Sequence, residues 1–558
     1  MNKLTLASLL LATAAMPTAA FAAEDQEAQT TQDTAAESDG VQDIVVTAQR
    51  VTSSIQKTPI SIQAYSGEDL QKRGVTDVGA LARTDSSVNI NLSTGQPIIA
   101  VRGVASQNAT EVGDPAVSVA ADGVFNNRPS GMFAGLYDIE RIEILRGPQG
   151  TLFGRNSTGG TLNIITARAN NANEAGFTAE VGNYDLFGVQ GFGNVVLADG
   201  LYGRVSYNFR SRKGFRDNGP ALKRGDDEEM KSVRFQLAFE PSDSVKGWIL
   251  GQYTKIGGLG PVSEIIPFAY PATGGSEPLH TVPANISDGK TFPIYADYQR
   301  DVQQWDVRGG LTFTLPGGES INYLGGYSSI RHTRQQAINP FNFGSTPVPF
   351  IYRNIEKPDT INQELRIASA PEARLRWQAG VYYFKEDSSV LAFTQRNPGS
   401  TVATKLIQFD YPKIKSSSTA VFAQASYDLT EALTFTAGGR YTWDKKERDG
   451  TVSLLFLGVV IPQPAATKAD KPTWSAGFDY QVTDRNLLYA KVSTGYKVGG
   501  FNNAQSDYGP ETVTSYEIGS KNSFLDNHLQ LNLTAFRMDY NDQQVSQFVT
   551  GAASTGSI

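Results

Sequence analysis

Apolar and polar residues alternate with a period of two through most of the chain after Gly176. Such alternation predicts β-strands that present one apolar and one polar face. Residues 201–209 and 433–443 maintain it over about ten residues, the length of a membrane-spanning strand. Strands of a soluble β-sandwich run about five or six residues. The pattern therefore predicts a mainly β chain that forms a transmembrane antiparallel β-barrel.

The connections between these strands alternate in length. Tight turns are predicted at 198–200, 241–244, 316–319, 371–374, 429–432, 482–485 and 525–528. Long connections that contain Pro, Gly and Asn lie between them, among others at 256–298, 331–358 and 445–471. This asymmetry is typical of outer-membrane barrels, with short periplasmic turns and long outer loops. The pattern gives about fifteen strands, the last being Leu529 to Tyr540.

Residues 51–167 combine short helices with short strands. Ser66 is predicted to cap a helix that begins at Gly67, and another helix is predicted within 76–81. Strands are predicted at the following four segments: 98–103, 117–124, 139–146 and 161–166. We therefore expect a separate α+β domain before the barrel.

Turn chemistry separates the last two of these strands. In Arg-Gly-Pro-Gln-Gly at 146–150, Pro148 constrains one backbone angle, and Gly147 and Gly150 are free to take a positive φ. Gly154 follows within the same connection, which reaches the second strand through two more glycines. The backbone there must bend tightly or run close against another part of the protein.

The stretch LYDIERIEILRGPQGTLFGRNSTGGTLNIIT at 136–166 resembles the end of the plug domain of TonB-dependent outer-membrane receptors. The segments IIAVRG and VSVAADGV, upstream of it, are similar to IRG and YVDGV segments of that family. The resemblance implies a plug domain over 51–167 inside the lumen of a β-barrel that begins at residue 171. It also implies that Gly103, Gly147, Gly150 and Gly154 shape the turns of the plug.

The family barrel typically has 22 strands and ends in an aromatic residue, whereas this sequence ends in GAASTGSI. We therefore expect the barrel over 171–558 to be incomplete, with roughly seven strands missing. An odd number of strands leaves two open edges, which are costly in hydrocarbon. The sequence is then expected to be a fragment of a longer reading frame or a decayed gene.

The N-terminus predicts export. Residues 1–22 have an early Lys3, an apolar run and an Ala-Phe-Ala ending, which is the pattern of a signal peptide. Residues 23–42 are acidic with almost nothing to bury, so residues 23–50 are predicted to form a disordered periplasmic tether that ends in a β-prone patch at 43–50. Such a patch could be an ordinary first strand. In the family this is the place of the TonB box, which implies that TonB binds Asp43, Ile44, Val45, Val46, Thr47 and Ala48 by strand addition.

The resemblance also implies a set of charges that hold the plug in the lumen. In the family, two plug arginines meet two glutamates of the barrel wall. The matching positions here are Arg102, Arg146, Glu364 and Glu517. The alternative is that each is an ordinary lumen or surface charge. If they form a lock, replacing Arg146 with Ala should loosen the plug, because breaking a buried pair from one side costs about 3 to 5 kcal/mol.

Composition and motifs argue against other classes of function. The formal net charge of −7 does not suggest nucleic-acid binding. The sequence has no cysteine and only three scattered histidines, so we expect neither a thiolate site nor a His-rich metal site. We expect no cofactor either. The sequence has no P-loop, no complete dinucleotide fingerprint and no Gly-x-Ser-x-Gly elbow. We expect a protein that is not an enzyme.

The function that the resemblance implies is TonB-dependent active transport of a scarce solute across the Gram-negative outer membrane. The implied partners are TonB with the ExbB-ExbD complex, outer-membrane lipids and an extracellular cargo. An iron-siderophore complex is the favoured cargo, and a vitamin, a carbohydrate or an aromatic compound is the alternative. A non-functional receptor remnant also stays open. A passive porin would lack residues 43–167, and a signalling transducer would need a further domain before the TonB box.

Overall fold

The chain has two β-rich parts, which are described here from a computed structural model. The structure describes residues 44–91, 97–106, 113–131, 136–217, 223–260, 298–338, 342–343, 346–347, 350–396, 404–501 and 507–545. The predicted signal peptide and all of the predicted tether up to Asp43 lie outside these residues.

The N-terminal part, which we call the plug, is built around a five-stranded sheet in the order β3-β8-β9-β6-β7. Its elements are β1 (Val45–Val46), β2 (Ser53–Ser54), a 3-10 helix (Ile55–Lys57), β3 (Ile62–Ser66), α1 (Gly67–Lys72), α2 (Val78–Leu81), β4 (Val88–Asn91), β5 (Ile98–Val101), β6 (Val117–Ala121), β7 (Val124–Phe125), a second 3-10 helix (Pro129–Gly131), β8 (Ile139–Arg146) and β9 (Gly160–Thr166). Its main apolar core packs α1 and α2 against the sheet through side chains such as Leu70, Leu81, Ile142 and Ile144.

Local chemistry explains where the two short helices begin. The Ser66 hydroxyl accepts a hydrogen bond from the backbone N–H of Asp69 and caps α1, as predicted. The Asp77 carboxylate does the same for the N–H of Ala80 at the start of α2. No helix in the part of the chain that the structure describes is long and apolar enough to cross a membrane.

The predicted single strand over 117–124 is wrong in one respect. The chain turns at Asp122 and Gly123, which have φ values of 53° and 81°, so that β6 and β7 form a tight hairpin. Asp-Gly is a favoured pair for a two-residue turn with positive φ at both positions. The run of small apolar residues on both sides hid this turn in the alternation pattern.

The C-terminal part is a curved antiparallel sheet, which we call the wall. Its strands are β10 (Glu174–Gly182), β11 (Leu186–Ala198), β12 (Leu201–Arg212), β13 (Glu228–Ser242), β14 (Val245–Gly257), β15 (Gln299–Thr314), β16 (Ser320–Ile338), β19 (Phe350–Glu356), β20 (Asp359–Ala368), β21 (Leu375–Arg396), β22 (Thr404–Asp428), β23 (Leu433–Leu454), β24 (Val459–Pro462), β25 (Ala465–Thr483), β26 (Asn486–Lys497), β29 (Glu511–Phe524) and β30 (Leu529–Asn541). Four short strands form separate hairpins: β17 (Asn342–Phe343), β18 (Thr346–Pro347), β27 (Gly500–Phe501) and β28 (Asp507–Tyr508).

The number of wall strands agrees with the alternation pattern. Over the described residues the sheet contains 17 strands, but β19 and β20 both pair with β16, and β24 and β25 both pair with β23. Each couple occupies one position in the wall, which leaves the fifteen or so positions that were predicted. Within the described residues, β10 pairs only with β11, and β30 pairs only with β29.

The burial of the wall is the inverse of that of a soluble protein. In β12 the apolar Val205 and Tyr207 are exposed, whereas the polar Arg204, Ser206 and Asn208 are buried. The apolar face therefore points outward toward lipid, and the polar face points into the lumen, where the plug lies. This confirms the predicted transmembrane barrel with a plug domain.

Two of the predicted long loops are largely strand. The segment 331–358 contains the end of β16 and all of β19, and 445–471 contains the end of β23, β24 and the start of β25. The hairpins thus continue past the expected membrane level, because their residues still alternate and pair. Most of the third predicted loop, 256–298, lies outside the described residues.

Candidate functional site

The predicted TonB box lies against the plug as strand β1, which pairs with β2. Val46 and Ala48 are buried in a small apolar cluster that also contains Ile62 and Leu145. Val45, by contrast, is 49% exposed. The segment is thus held partly by packing, with one side chain of the strand left in solvent.

A buried carboxylate holds the end of this strand. Glu143 of β8 accepts hydrogen bonds from the backbone N–H of Thr47, at 2.8 Å, and from its hydroxyl, at 3.1 Å. Glu143 is fully buried and is also paired with Arg141 at 2.8 Å. The Thr47 end is therefore attached to the central sheet of the plug by charge-assisted hydrogen bonds.

Arg50, four residues after the end of β1, connects the plug to the wall. Its guanidinium lies 3.1 Å from the carboxylate of Glu364 on β20 and donates to the carbonyl of Gly123 at 3.0 Å. The guanidinium also lies over the ring of Phe153, at 4.9 Å from the centroid. The sequence reasoning missed this role of Arg50. It closes the DIVVTAQR segment, but nothing in that segment indicates a partner more than three hundred residues away.

The structure brings two of the predicted lock residues together. Arg102 of the plug pairs with Glu517 of β29 at 2.8 Å, and both side chains are buried. Arg102 and Gly103 form a turn with φ values of 53° and 78°, which projects the arginine toward the wall. The guanidinium also stacks on Phe536, 3.8 Å from the ring centroid.

Glu517 has further partners that keep its charge satisfied. It accepts hydrogen bonds from the backbone N–H of Ser61 at 3.0 Å and from the Tyr489 hydroxyl at 3.0 Å. One wall carboxylate therefore contacts the plug through an ion pair and a backbone hydrogen bond. Such multiple partners are what a buried charge requires.

The expected pairing of Arg146 with a wall glutamate is not what the structure shows. Arg146 lies 2.9 Å from Asp85, which is within the plug, and Glu364 is paired with Arg50 instead. Although burial by itself would raise the pKa of Asp85, hydrogen bonds from Ser87 and the charge of Arg146 lower it. Asp85 sits in the turn after α2, a position that no family motif indicated, so the sequence could not identify it as the partner.

Three further ion pairs join the plug to strands β21 and β23 of the wall. Each is buried on both sides: Arg128 with Glu386 at 2.9 Å, Asp114 with Lys446 at 3.4 Å and Arg155 with Asp444 at 3.4 Å. Although burial alone would raise the pKa of Asp114, the positive charges of Lys446 and Arg155 hold it well below its usual range. The sequence reasoning missed all six residues, because each partner lies hundreds of residues away.

Two more pairs attach the plug to strands β12 and β15 of the wall. Arg308 of β15 lies 3.2 Å from Asp122, and Arg204 of β12 lies 2.5 Å from Asp138. Although burial alone would raise the pKa of Asp122, the positive charges of Arg168 and Arg308 lower it. The described plug is thus held by ion pairs on several sides of the lumen.

The predicted turn glycines have two different roles. Gly103, Gly147 and Gly154 have φ values of 78°, 85° and 79°, a region that favours glycine. Gly150 does not share this conformation. Gly150 lies in a turn as predicted, but a Cβ atom there would lie 2.6 Å from the Thr494 carbonyl oxygen, so it is the close contact with the wall that requires glycine.

The described residues offer no cluster of three or more His, Asp or Glu side chains that could hold a metal ion. The geometry is instead that of an interface, with buried charges on both sides and, at one end, a strand that exposes Val45. Such an interface can hold the plug in one position through ion pairs that must break for the plug to move, without covalent chemistry.

Known proteins are similar to this chain in sequence and in architecture. Residues 251–557 match the family model described as "TonB dependent receptor-like, beta-barrel", and residues 54–161 match "TonB-dependent Receptor Plug Domain". The chain is 25% identical over 503 residues to the pesticin receptor of Yersinia pestis, covering 87% of this chain and 69% of the relative. It is also 25% identical over 545 residues to the rhizobactin receptor of Rhizobium meliloti (strain 1021), covering 88% of this chain and 66% of that relative.

The crystal structure of the ferric yersiniabactin uptake receptor from Yersinia pestis is similar in fold. It has a TM-score of 0.75 at 20% identity, covering 87% of this chain and 73% of that one.

Proposed function

This chain belongs to the TonB-dependent receptor family, and we propose that it imports an iron-siderophore complex across the outer membrane of a Gram-negative bacterium. In this proposal the plug closes the lumen at rest. TonB, driven by the ExbB-ExbD complex, pairs with the segment from Asp43 to Ala48 and pulls on it. The plug then moves far enough for the cargo to pass.

The observation that carries this proposal is the position of Arg50 between the β1 strand and the wall. Because Arg50 lies four residues after β1, tension on Val45 and Val46 would pass through Thr47, which Glu143 holds, and then reach the Arg50–Glu364 pair. Strand addition can use the main chain of an exposed segment, and Val45 provides such exposure. The segment proposed to bind TonB and the Arg50–Glu364 ion pair are therefore only a few residues apart in the sequence.

The Arg102–Glu517 pair supports the same mechanism from another side of the plug. A buried ion pair is weak evidence for high stability, but it sets a defined geometry and is costly to break from one side. Together with the Arg128 and Arg155 pairs, it holds the plug in one orientation until force is applied. We propose Arg102 and Glu517 as a plug–wall lock, with Arg50 and Glu364 as a second one.

The names of similar proteins support the proposed cargo. One relative is the rhizobactin receptor, and two structural neighbours are described as a ferric yersiniabactin uptake receptor and a siderophore receptor. We propose an iron-siderophore complex for this chain on that basis. A vitamin, a carbohydrate or an aromatic compound would use the same plug movement and is the alternative outcome of the test.

Uptake in a host strain that lacks its own siderophore receptors tests the proposal. Cells that express this chain are given radioactive iron on yersiniabactin, on rhizobactin and on a catecholate, with labelled vitamin B12 as a non-iron probe. We expect energy-dependent uptake of at least one ferric chelate and none of vitamin B12. Uptake of vitamin B12 alone would overturn the iron assignment, and absence of all uptake would overturn transport by this chain.

A matched pair of variants tests the TonB segment in the same assay. Val45→Pro removes a backbone donor from the exposed strand, and Val51→Pro makes the same change at a residue of nearly equal exposure, 48% against 49%, outside the strand. We expect only Val45→Pro to abolish uptake. Equal loss in both variants would show that the strand has no special role.

A further inference from the structure

The hairpin of β23 and β24 exposes a group of apolar side chains at its tip. In SLLFLGVVIP at 453–462, Phe456, Leu457 and Val460 are each more than half exposed. β23 begins at Leu433, directly after a short turn of the kind that faces the periplasm, so its other end lies at the outer rim of the wall. An exposed apolar patch of this kind marks a binding surface.

Strand pairing places four apolar side chains on one face of this hairpin. Val452 lies opposite Ile461, and Leu454 lies opposite Val459. Residues two apart on a strand share a face, so all four point the same way. This face is the lumen side, because Val452 lies an even number of residues after Lys446, which forms a buried ion pair with the plug.

The neighbouring strand β22 extends this apolar face. Phe409 lies opposite Val452, and Ile407 lies opposite Leu454. We call the six side chains the rim strip: Ile407, Phe409, Val452, Leu454, Val459 and Ile461. All six are at least partly exposed, so their apolar surface is available to a ligand.

The lower end of the rim strip leads toward the plug. Phe409 and Val452 pack against a buried apolar cluster of Val390, Ala392, Tyr411 and Ile414. Val390 lies four residues along β21 from Glu386, which pairs with Arg128 of the plug at 2.9 Å. Apolar side chains therefore continue on the lumen side from the rim to the level of the plug–wall ion pairs.

Membrane lipid does not cover the rim strip. Trp443 is 44% exposed on the outward face of β23, and the next outward positions are the charged Lys445 and Glu447. The apolar band of the barrel therefore ends near Trp443. Leu454 lies eleven residues beyond it, which is about 36 Å along the strand. The acyl chains of the membrane cannot reach that far.

Two prolines oppose the addition of a strand from a protein partner at this place. Pro462 ends β24, and Pro464 follows shortly after it. Neither has the backbone N–H that an added strand would need. The rim strip therefore offers apolar side chains to a ligand, not backbone hydrogen bonds.

The shape and chemistry of the rim strip favour an alkyl chain over an aromatic ring. Five of its six side chains are aliphatic, and they lie along neighbouring strands in an elongated surface. The ring of Tyr411, at its lower end, is already covered on one face by Arg448, whose guanidinium carbon lies 4.6 Å from the ring centroid. An elongated aliphatic surface buries a flexible hydrocarbon chain along its length.

From these observations we propose that the rim strip binds a long alkyl chain of the cargo, so that the cargo is an amphiphile with a polar, iron-binding head. The proposal rests on the import of a ferric chelate proposed above. The chain lies along the lumen face of β22, β23 and β24, and the head lies toward the plug. Apolar contact then adds to the affinity that the head provides.

Paired chelates with and without an alkyl chain test this assignment. A catecholate, a hydroxamate and an α-hydroxycarboxylate chelate of radioactive iron are each prepared unmodified and with a dodecanoyl chain. Binding is measured in the cold on cells that express the full chain, after subtraction of binding to cells that lack it. We expect the chain to lower the Kd of at least one chelate roughly tenfold or more.

Neighbouring residues on opposite faces of β24 give a matched pair of variants. Val459→Asp places a charge on the lumen face, whereas Val460→Asp places the same charge on the other face, opposite Ser453. The two side chains are 42% and 60% exposed, so neither change disturbs a packed core. We expect Val459→Asp to abolish the gain from the dodecanoyl chain and Val460→Asp to retain it.

The outcomes separate this assignment from the proposed transport. If the chain adds no affinity to any chelate, or if both variants keep or lose the gain alike, the alkyl-chain assignment is overturned. Energy-dependent uptake of an unmodified chelate by the same cells would then leave iron transport standing. If no chelate is bound or taken up, with or without the chain, iron transport and the alkyl-chain assignment are both overturned.

Discussion

Arg50 and Glu364 meet at 3.1 Å across the boundary between plug and wall, with the guanidinium also bound to the carbonyl of Gly123. More than three hundred residues separate the two, yet Arg50 stands directly beside the strand proposed to bind TonB. A load on that strand therefore reaches this pair before it reaches Arg102 and Glu517. We therefore expect the Arg50–Glu364 pair to break before the Arg102–Glu517 pair when this strand is pulled.

Replacing Arg50 with Gln should release the strand that precedes it. The side chain loses its charge and its pairing with Glu364, so residues 44–50 should exchange backbone hydrogens faster while the core of the plug stays protected. Hydrogen exchange followed by mass spectrometry measures both regions. Arg83→Gln, at an exposed arginine of the plug, is the matched control. Equal exchange in the two variants would contradict a role of Arg50 as a latch.

Arg102→Ala should loosen the plug as a whole. Removing one partner of a buried pair costs about 3 to 5 kcal/mol, because Glu517 is left without its main counter-charge. Protease sensitivity and exchange of the plug strands measure the loss. The double variant Arg102→Ala/Glu517→Gln should be less destabilised than the two single changes added together. Strict additivity would show that the pair does not act as a unit.

Arg146→Ala should act inside the plug rather than at the wall. Its partner is Asp85, so the effect of Asp85→Asn on thermal unfolding should be largely absent when Arg146 is already replaced. The effect of Glu364→Gln should be unchanged by the same replacement. These two double-mutant cycles distinguish the observed pairing from the one that the family resemblance implied, and coupling to Glu364 alone would contradict the structure.

Gly150→Ala should disturb the seating of the plug although it adds a single methyl group. The added Cβ would lie 2.6 Å from the Thr494 carbonyl oxygen, so backbone must shift. Gly193→Ala is the control, since nothing lies within 4 Å of a Cβ at that wall position. We expect a lower unfolding temperature for Gly150→Ala alone. Similar temperatures for both variants would argue against direct contact at Gly150.

The plug–wall contact at Asp122 should resist mild acid. Arg168 and Arg308 lower the pKa of Asp122 in the folded state from its ordinary value of 3.8, so the charged form is the one that the fold stabilises. That stabilisation is fully present above the ordinary value and is lost as the pH falls through the lowered pKa. The contribution of Asp122 to the unfolding temperature should therefore be nearly constant from neutral to weakly acidic pH, and it should fall only in strong acid. In Asp122→Asn this part of the decline should disappear.

The length of the alternating segments, together with the alternation of short and long connections, is enough to predict the barrel from the sequence. A strand with one apolar and one polar face, repeated over a membrane's width, can be stable only when one face meets lipid and the other a polar lumen. The same reasoning located the cap at Ser66, because capping depends on a few neighbouring residues. It could not separate long loops from extended hairpins at 331–358 and 445–471, since strands that leave the membrane keep the same period.

The partners of charged residues were decided only by the tertiary structure. Arg102, Arg146, Glu364 and Glu517 are all visible in family-like motifs, but a motif does not state which carboxylate each guanidinium will reach. The plug turns at Asp122 and docks against the lumen-facing side of the wall, so distant residues such as Arg50 and Glu364 become neighbours. Sequence periodicity sets which face a side chain occupies, whereas ion pairing depends on how two separately folded surfaces are placed together.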